Sequence, residues 1–205
     1  MNEFDLKASA WDNNPMHLDR SASVSREIIK RIKLNKNMRA LEFGAGTGIT
    51  SFLLKDHVKE IIMLDSSSGM AAVMNEKISI SEVTNLRALY FDLENQSFTD
   101  GTFDLIFTQM ALHHVLDVED ILKKFSLLLN PRGFIAIADL YPEDGSFHGP
   151  EFSGHKGFSI KELSTLLAEN GFINISEEPC FTINKKTHDG SMKSFDLFLM
   201  IAQKA

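Results

Sequence analysis

The residues with the most chemical meaning lie together in Leu41-Glu42-Phe43-Gly44-Ala45-Gly46-Thr47-Gly48-Ile49-Thr50. Apolar Leu41 and Phe43 alternate as they do at the end of a buried strand. Three glycines at alternate positions follow, and a helical apolar period (Ile49, Phe52, Leu53) begins at once. The spacing predicts strand, glycine turn and helix start. Glycine in such a turn permits positive φ and lets a ligand approach bare backbone. The first turn of the helix offers unpaired N–H groups and the positive end of its dipole. The chemistry on offer is the binding of an anionic or polar part of a nucleotide-like ligand.

The dinucleotide fingerprint G-x-G-x-x-G places a third glycine where this chain has Ile49. Glu42, two positions before the first glycine, would repel a pyrophosphate and suits a ligand carrying an ammonium group. Counting from Gly44, Asp65 lies 21 positions on, at the end of the apolar run Ile61-Ile62-Met63-Leu64. A carboxylate placed there can accept both hydroxyls of a ribose. Glu42 and the glycines resemble the [D/E]-x-G-x-G-x-G motif of the class I S-adenosylmethionine (SAM)-dependent methyltransferases. That resemblance implies SAM as cofactor and S-adenosylhomocysteine (SAH) as product. It also implies a cofactor site built from Glu42, Gly44, Ala45, Gly46, Thr47, Gly48, Asp65, Ser66, Met70, Asp92, Leu93, Gln109 and Met110. Two other readings stay open on the residues: a nicotinamide-dependent oxidoreductase and a non-enzymatic SAM-binding regulator.

The run Ala111-Leu112-His113-His114 is similar to that of small-molecule methyltransferases of the ubiquinone/menaquinone-biosynthesis type. The [Asp/Asn]-Pro-Pro-aromatic motif, typical of enzymes that methylate nucleic acid or glutamine, is absent from that place. Methyl transfer from SAM needs alignment and exclusion of water more than it needs a protein nucleophile. A base is needed only if the acceptor must lose a proton. His114, His155, Asp139 and Tyr141, with His113 beside them, are the polar groups expected around a small-molecule acceptor. The spacing of His113, His114, His148 and His155 matches no metal motif, so no metal site is expected.

These residues need a frame to hold them. Short apolar runs at 60–65, 86–91, 103–108 and 134–139 read as strands, each with an acid or a polar residue at or just after its carboxyl end. Helical periods fall between them, and Asp117 with Asp120 and Ser159 with Glu162 mark two helix starts. Asn130-Pro131-Arg132-Gly133 is expected to stop the first of these helices, and Gly171 the second. A long hairpin follows, with strands over 172–183 and 195–202, Pro179 as a bulge and Asp189-Gly190 in the loop. Alternating strand and helix predict an α/β doubly wound sheet. The resemblance implies seven strands, mostly parallel, with a terminal antiparallel hairpin. Residues 1–17 are expected to be irregular and a helix to run over 18–34. The Gly/His/Pro-rich stretch 142–157 is long for a loop in a compact domain, which favours a functional part.

The 205 residues suit one domain, with 1–36 as an arm over the pocket and 37–205 as the nucleotide-binding core. A net charge of −7 argues against a nucleic-acid backbone as partner, since such binding is driven by a basic surface. The single cysteine, Cys180, excludes an internal disulfide and is expected to be buried in a strand. No apolar run approaches the length of a membrane span and the start has no signal-peptide pattern, so a cytoplasmic protein is expected.

Overall fold

Strands rich in β-branched and aromatic residues, each continuous in its apolar character, belong in a sheet covered on both faces. In the computed structural model, which describes residues 3–205, seven of them form one sheet. They are β1 (Arg39–Phe43), β2 (Glu60–Asp65), β3 (Leu86–Tyr90), β4 (Phe103–Gln109), β5 (Leu129–Leu140), β6 (Phe172–Lys186) and β7 (Met192–Lys204). The order across the sheet is β3-β2-β1-β4-β5-β7-β6. The first five are parallel, and β7 runs antiparallel to both β5 and β6. The order reverses between β1 and β4. A ligand crevice in such a sheet opens there, at the strands' carboxyl ends.

Helices α1 (Glu3–Lys7), α2 (Pro15–Arg31), α3 (Ile49–Leu54), α4 (Ser68–Ser81), α5 (Val118–Leu128) and α6 (Ile160–Glu169) cover the sheet. Val24 and Ile28 of α2, Leu54 of α3 and Met74 of α4 pack on Ile61, Met63 and Phe107 on one face. Ile121, Leu122 and Phe125 of α5 and Leu163 and Leu167 of α6 pack on Leu41, Ile62, Ile106 and Phe198 on the other.

Several boundaries differ from the sequence reading, each for a local reason. Residues 3–13, expected to be irregular, form α1 and a 3₁₀ stretch over Ala8–Asn13. Helix α2 starts at Pro15 rather than Leu18. Asn14 caps it by accepting from the Met16 N–H at 3.1 Å, and Pro15, which has no N–H to leave unpaired, occupies the first helical position. Asn130-Pro131-Arg132-Gly133 does not separate α5 from the next strand. The chain enters β5 at Leu129 and carries these residues as an irregularity, with Arg132 at φ +64°. Pro179 marks a register shift in β6, as expected. Cys180 is only partly buried; its carbonyl accepts from the Ser23 hydroxyl of α2 at 2.8 Å.

Because Asn14 sets the start of α2 and also lines the crevice, Asn14→Ala tests how the N-terminal segment is anchored. We expect a loss of about 0.5–2 kcal/mol of stability, seen as a lower urea midpoint with an unchanged m-value.

Candidate active site

The glycine turn follows from a close approach of backbones. Gly44 takes φ +64°, and a Cβ there would lie 2.3 Å from the Ala111 Cβ, beyond the end of β4. Three hydrogen bonds hold the turn. The Ala45 N–H donates to the Leu64 carbonyl at 3.0 Å, the Gly46 N–H to the Asp65 carboxylate at 2.7 Å, and the Gly48 N–H to the Ala45 carbonyl at 2.8 Å. The second Asp65 oxygen accepts from the Ser67 N–H at 2.8 Å. Asp65 therefore joins the glycine turn to the start of α4, and burial raises its pKa above the usual carboxyl range. Each of its oxygens keeps a lone pair free for a further donor.

Glu42 forms the floor of a cavity of about 860 Å³ that opens at the carboxyl ends of β1, β2 and β4. The residue is 2% exposed and faces the Ser51 hydroxyl, which donates to it at 2.5 Å. Desolvation pushes its pKa up to about 8, against the opposing pull of the hydrogen bonds from Ser51 and Thr50. At neutral pH the carboxyl is mostly protonated, because it is desolvated and no cation among the described residues offsets that cost.

The N-terminal segment closes one side of the cavity. Asp5 accepts from the Ser67 hydroxyl at 2.7 Å and the Gly69 N–H at 2.9 Å. Asp12 accepts from the Thr47 hydroxyl at 2.5 Å and pairs with Lys77 at 2.7 Å. Trp11 and His17 stack at 4.1 Å, and both line the cavity. Two further side chains at the wall each carry one polar atom with no partner among the described residues. Arg20 is 6% exposed with no partner for its Nε, and burial lowers its pKa to about 10. Gln109 donates from Nε2 to the Ser21 hydroxyl at 2.9 Å, but its Oε1 accepts nothing. Buried polar atoms left unpaired in this way are uncommon, and both border the space a ligand would fill.

On the opposite wall three imidazoles converge. His113 Nδ1 lies 2.7 Å from the carboxyl of Asp139, which is fully buried and also accepts from the Leu140 N–H at 2.7 Å. His113 Nε2 lies 2.9 Å from His148 Nε2. His114 meets Phe4 and Phe152 edge-on at 5.3 and 5.2 Å. Burial, reinforced by the neighbouring His113, pushes the pKa of His114 down to about 4 and that of His148 down to about 3, so both are neutral at pH 7.

Of the residues expected to bind cofactor, Glu42, Gly44, Ala45, Gly46, Thr47, Asp65, Ser66, Met70, Asp92, Leu93, Gln109 and Met110 line this cavity. Gly48 does not; it caps α3 in the left-handed conformation. Asp92 has a second task, accepting from the N–H groups of Glu94 and Asn95 at 3.1 and 3.2 Å to close a turn. Met110, just past β4, holds φ +56°, strained for a side chain of its size. Among the residues expected around the acceptor, His114 lines the cavity and Asp139 stands behind His113. Tyr141 and His155 are not on the wall. The Tyr141 hydroxyl donates to Glu177 and its ring meets Phe198 at 5.4 Å. The His155 ring faces Phe158 at 5.4 Å, and its backbone N–H supports the His113 carbonyl at 2.8 Å. The sequence reading missed Arg20, although it lies four and eight residues before buried Val24 and Ile28, on the apolar stripe of α2. It also set aside the meeting of His148 with His113, for which no sequence spacing is a signal.

Residues 41–137 match the methyltransferase domain family. The chain is 34% identical over 120 residues to an uncharacterized methyltransferase of Schizosaccharomyces pombe, covering 55% of this chain and 42% of that protein. It is 27% identical over 126 residues to the demethylmenaquinone methyltransferase of Shouchella clausii, covering 60% and 54%. These matches thus span about half the length of each relative. The fold is similar to that of the N-methyltransferase NodS from Bradyrhizobium japonicum, solved in complex with SAH. The TM-score is 0.70 at 17% identity, over 94% of this chain and 89% of that one.

The buried acid gives the ligand-free protein a pH signature. Between the ordinary pKa of 4.5 and the folded value of about 8, Glu42 holds more proton folded than unfolded. Its contribution to stability is full at low pH, falls as pH rises through that window, and is flat above it. Glu42→Gln keeps the shape and removes the titration. Urea unfolding at about pH 5 and about pH 8.5 should show the wild-type slope reduced in the variant, with the variant the more stable at the higher pH by on the order of a few kcal/mol.

Proposed function

We propose, from the chain's membership of the SAM-dependent class I methyltransferases, that it transfers a methyl group from SAM to a small-molecule acceptor by in-line displacement. The observation that carries this reading is the donor and acceptor set on the cavity floor. Glu42 and the Gln109 Oε1 are buried acceptors, neither of them paired with a cation among the described residues. They suit the ammonium group of the cofactor's amino-acid end, which a nicotinamide dinucleotide lacks. When bound, SAM supplies a methyl group on a sulfonium, and transfer leaves the electron pair on sulfur.

The chain's own residues position and enclose. Glu42 gives up its proton and holds the ammonium by a charge-assisted hydrogen bond. Asp65 uses its remaining lone pairs for the ribose hydroxyls while its other bonds keep the glycine turn in place. Asp92 and Leu93 border the base. The N-terminal segment, tied down through Asp5 and Asp12, excludes water. Holding two reactants in line in such a chamber is worth ~7–11 kcal/mol. Asp139 is a positioning residue: it fixes the ring of His113, whose Nε2 meets His148 at the cavity wall.

Three observations support a small acceptor. The cavity of about 860 Å³ must hold both cofactor and acceptor. Residues of the segment 3–17, among them Phe4, Trp11 and His17, form part of its wall and narrow the space left for an acceptor. Arg20, buried with its Nε unpaired and with Asp139 acting on it only from beyond ion-pair distance, favours an acceptor with an anionic part.

Methyl-labelled SAM incubated with the protein and with separated small-molecule, protein and RNA fractions of cells tests the reading. Label should appear in the small-molecule fraction, and SAH but not NAD should raise the melting temperature. Label confined to protein or RNA would contradict the acceptor class. A shift with NAD and none with SAH would contradict the cofactor.

A further inference from the structure

We propose that His113, His114 and His148 form a site for a divalent cation of zinc-like softness, its fourth position open to the cavity. One ligand nitrogen from each residue lies within 4.8 Å of the other two. Imidazoles gain little from each other. His113 and His148 share one proton across 2.9 Å, and the ring nitrogens of His114 have no protein partner among the described residues. A tetrahedral zinc–imidazole site has bonds of ~2.0–2.1 Å, which sets neighbouring nitrogens about 3.3 Å apart. A cation taking the place of the shared proton would move His113 and His148 apart by a few tenths of an ångström. His114 would close the third position.

The surroundings are those of a prepared ligand set. Asp139 occupies Nδ1 of His113, which fixes the tautomer that leaves Nε2 as the lone-pair donor; a carboxylate behind a ligand histidine is the usual support in metal sites. His148 comes from the 142–157 loop, and that loop is built rather than slack. Glu143 accepts from the N–H groups of Gly145 and Phe147 at 2.8 and 3.0 Å, and Lys185 donates to the Phe147 carbonyl at 2.7 Å. The His148 ring stacks on Phe152 at 4.0 Å. Gly154 lets the returning chain press on His113: a Cβ there would lie 2.3 Å from the His113 carbonyl oxygen. Three imidazole nitrogen ligands with one open position describe a cation that binds a further ligand rather than a closed structural site. An acceptor hydroxyl or thiol bound there forms the bond to the cation and releases its proton to solvent, which leaves a nucleophile facing the chamber.

The site stands on this cluster alone; only its use rests on the methyltransferase reading. The test uses the full chain without a histidine tag, stripped with chelator and titrated with Co²⁺ and, in competition with a chromophoric chelator, with Zn²⁺. One equivalent should bind at about micromolar concentration or tighter, with the intense visible band of four-coordinate cobalt. His148→Ala and His114→Ala should each weaken Zn²⁺ at least about tenfold, and Asp139→Asn about 10–100-fold. SAH should still raise the melting temperature of His148→Ala, which shows that the variant is folded. Zn²⁺ binding weaker than about millimolar, or equal in wild type and His148→Ala, would overturn the site while leaving the SAH result to stand or fall separately.

Discussion

The carboxyl ends of the strands depend on how buried acids are satisfied once they leave water. Glu42 and Asp139 lie next to the ends of β1 and β5, and both are almost wholly removed from water. An isolated ionised carboxylate in such a place costs several kcal/mol. The fold answers differently at each. Asp139 is satisfied by His113 and two backbone N–H groups, so it serves as a fixed support. Glu42 has the hydroxyls of Ser51 and Thr50 and the Ser51 N–H but no cation among the described residues, so it keeps its proton until something positive arrives. One acid is finished by the protein, and the other is left for a ligand to finish. Asp65, between these extremes, divides its lone pairs between the turn it holds and the cavity it faces.

The N-terminal segment depends on the same elements. Asp5 accepts at the first turn of α4, where unpaired N–H groups favour an anion, and Asp12 bonds to Thr47 of the glycine turn. The segment is thus attached to the parts that shape the cavity. A ligand that reorders the turn would be felt by the segment, and the segment brings Trp11, His17 and Arg20 to the chamber.

What could be read in the sequence was local in the chain. Glu42 and the glycines are adjacent, and Asp65 closes the next apolar run, so strand period and turn chemistry placed them all at one end of the sheet. Tyr141 was misplaced because β5 ends at Leu140. Beyond that point strand alternation no longer fixes the direction of a side chain, and the ring turns to Phe198 and Glu177. His155 sits in a glycine-rich return whose path has no period, and its backbone rather than its ring reaches the site. The contact of His148 with His113 spans 35 residues and is made by loop geometry, to which spacing rules are blind. Arg20 was legible in principle, as a charge on the buried stripe of α2, but its unpaired Nε is visible only in three dimensions.

The central claim is that Glu42 holds a proton which the cofactor's ammonium group displaces. Calorimetry of SAH binding at about pH 7, in two buffers with different ionisation enthalpies, reads that proton directly. The wild type should show net proton release, seen as a binding enthalpy that depends on the buffer, and Glu42→Gln should bind more weakly with no such dependence. Equal buffer dependence in both proteins would contradict the account.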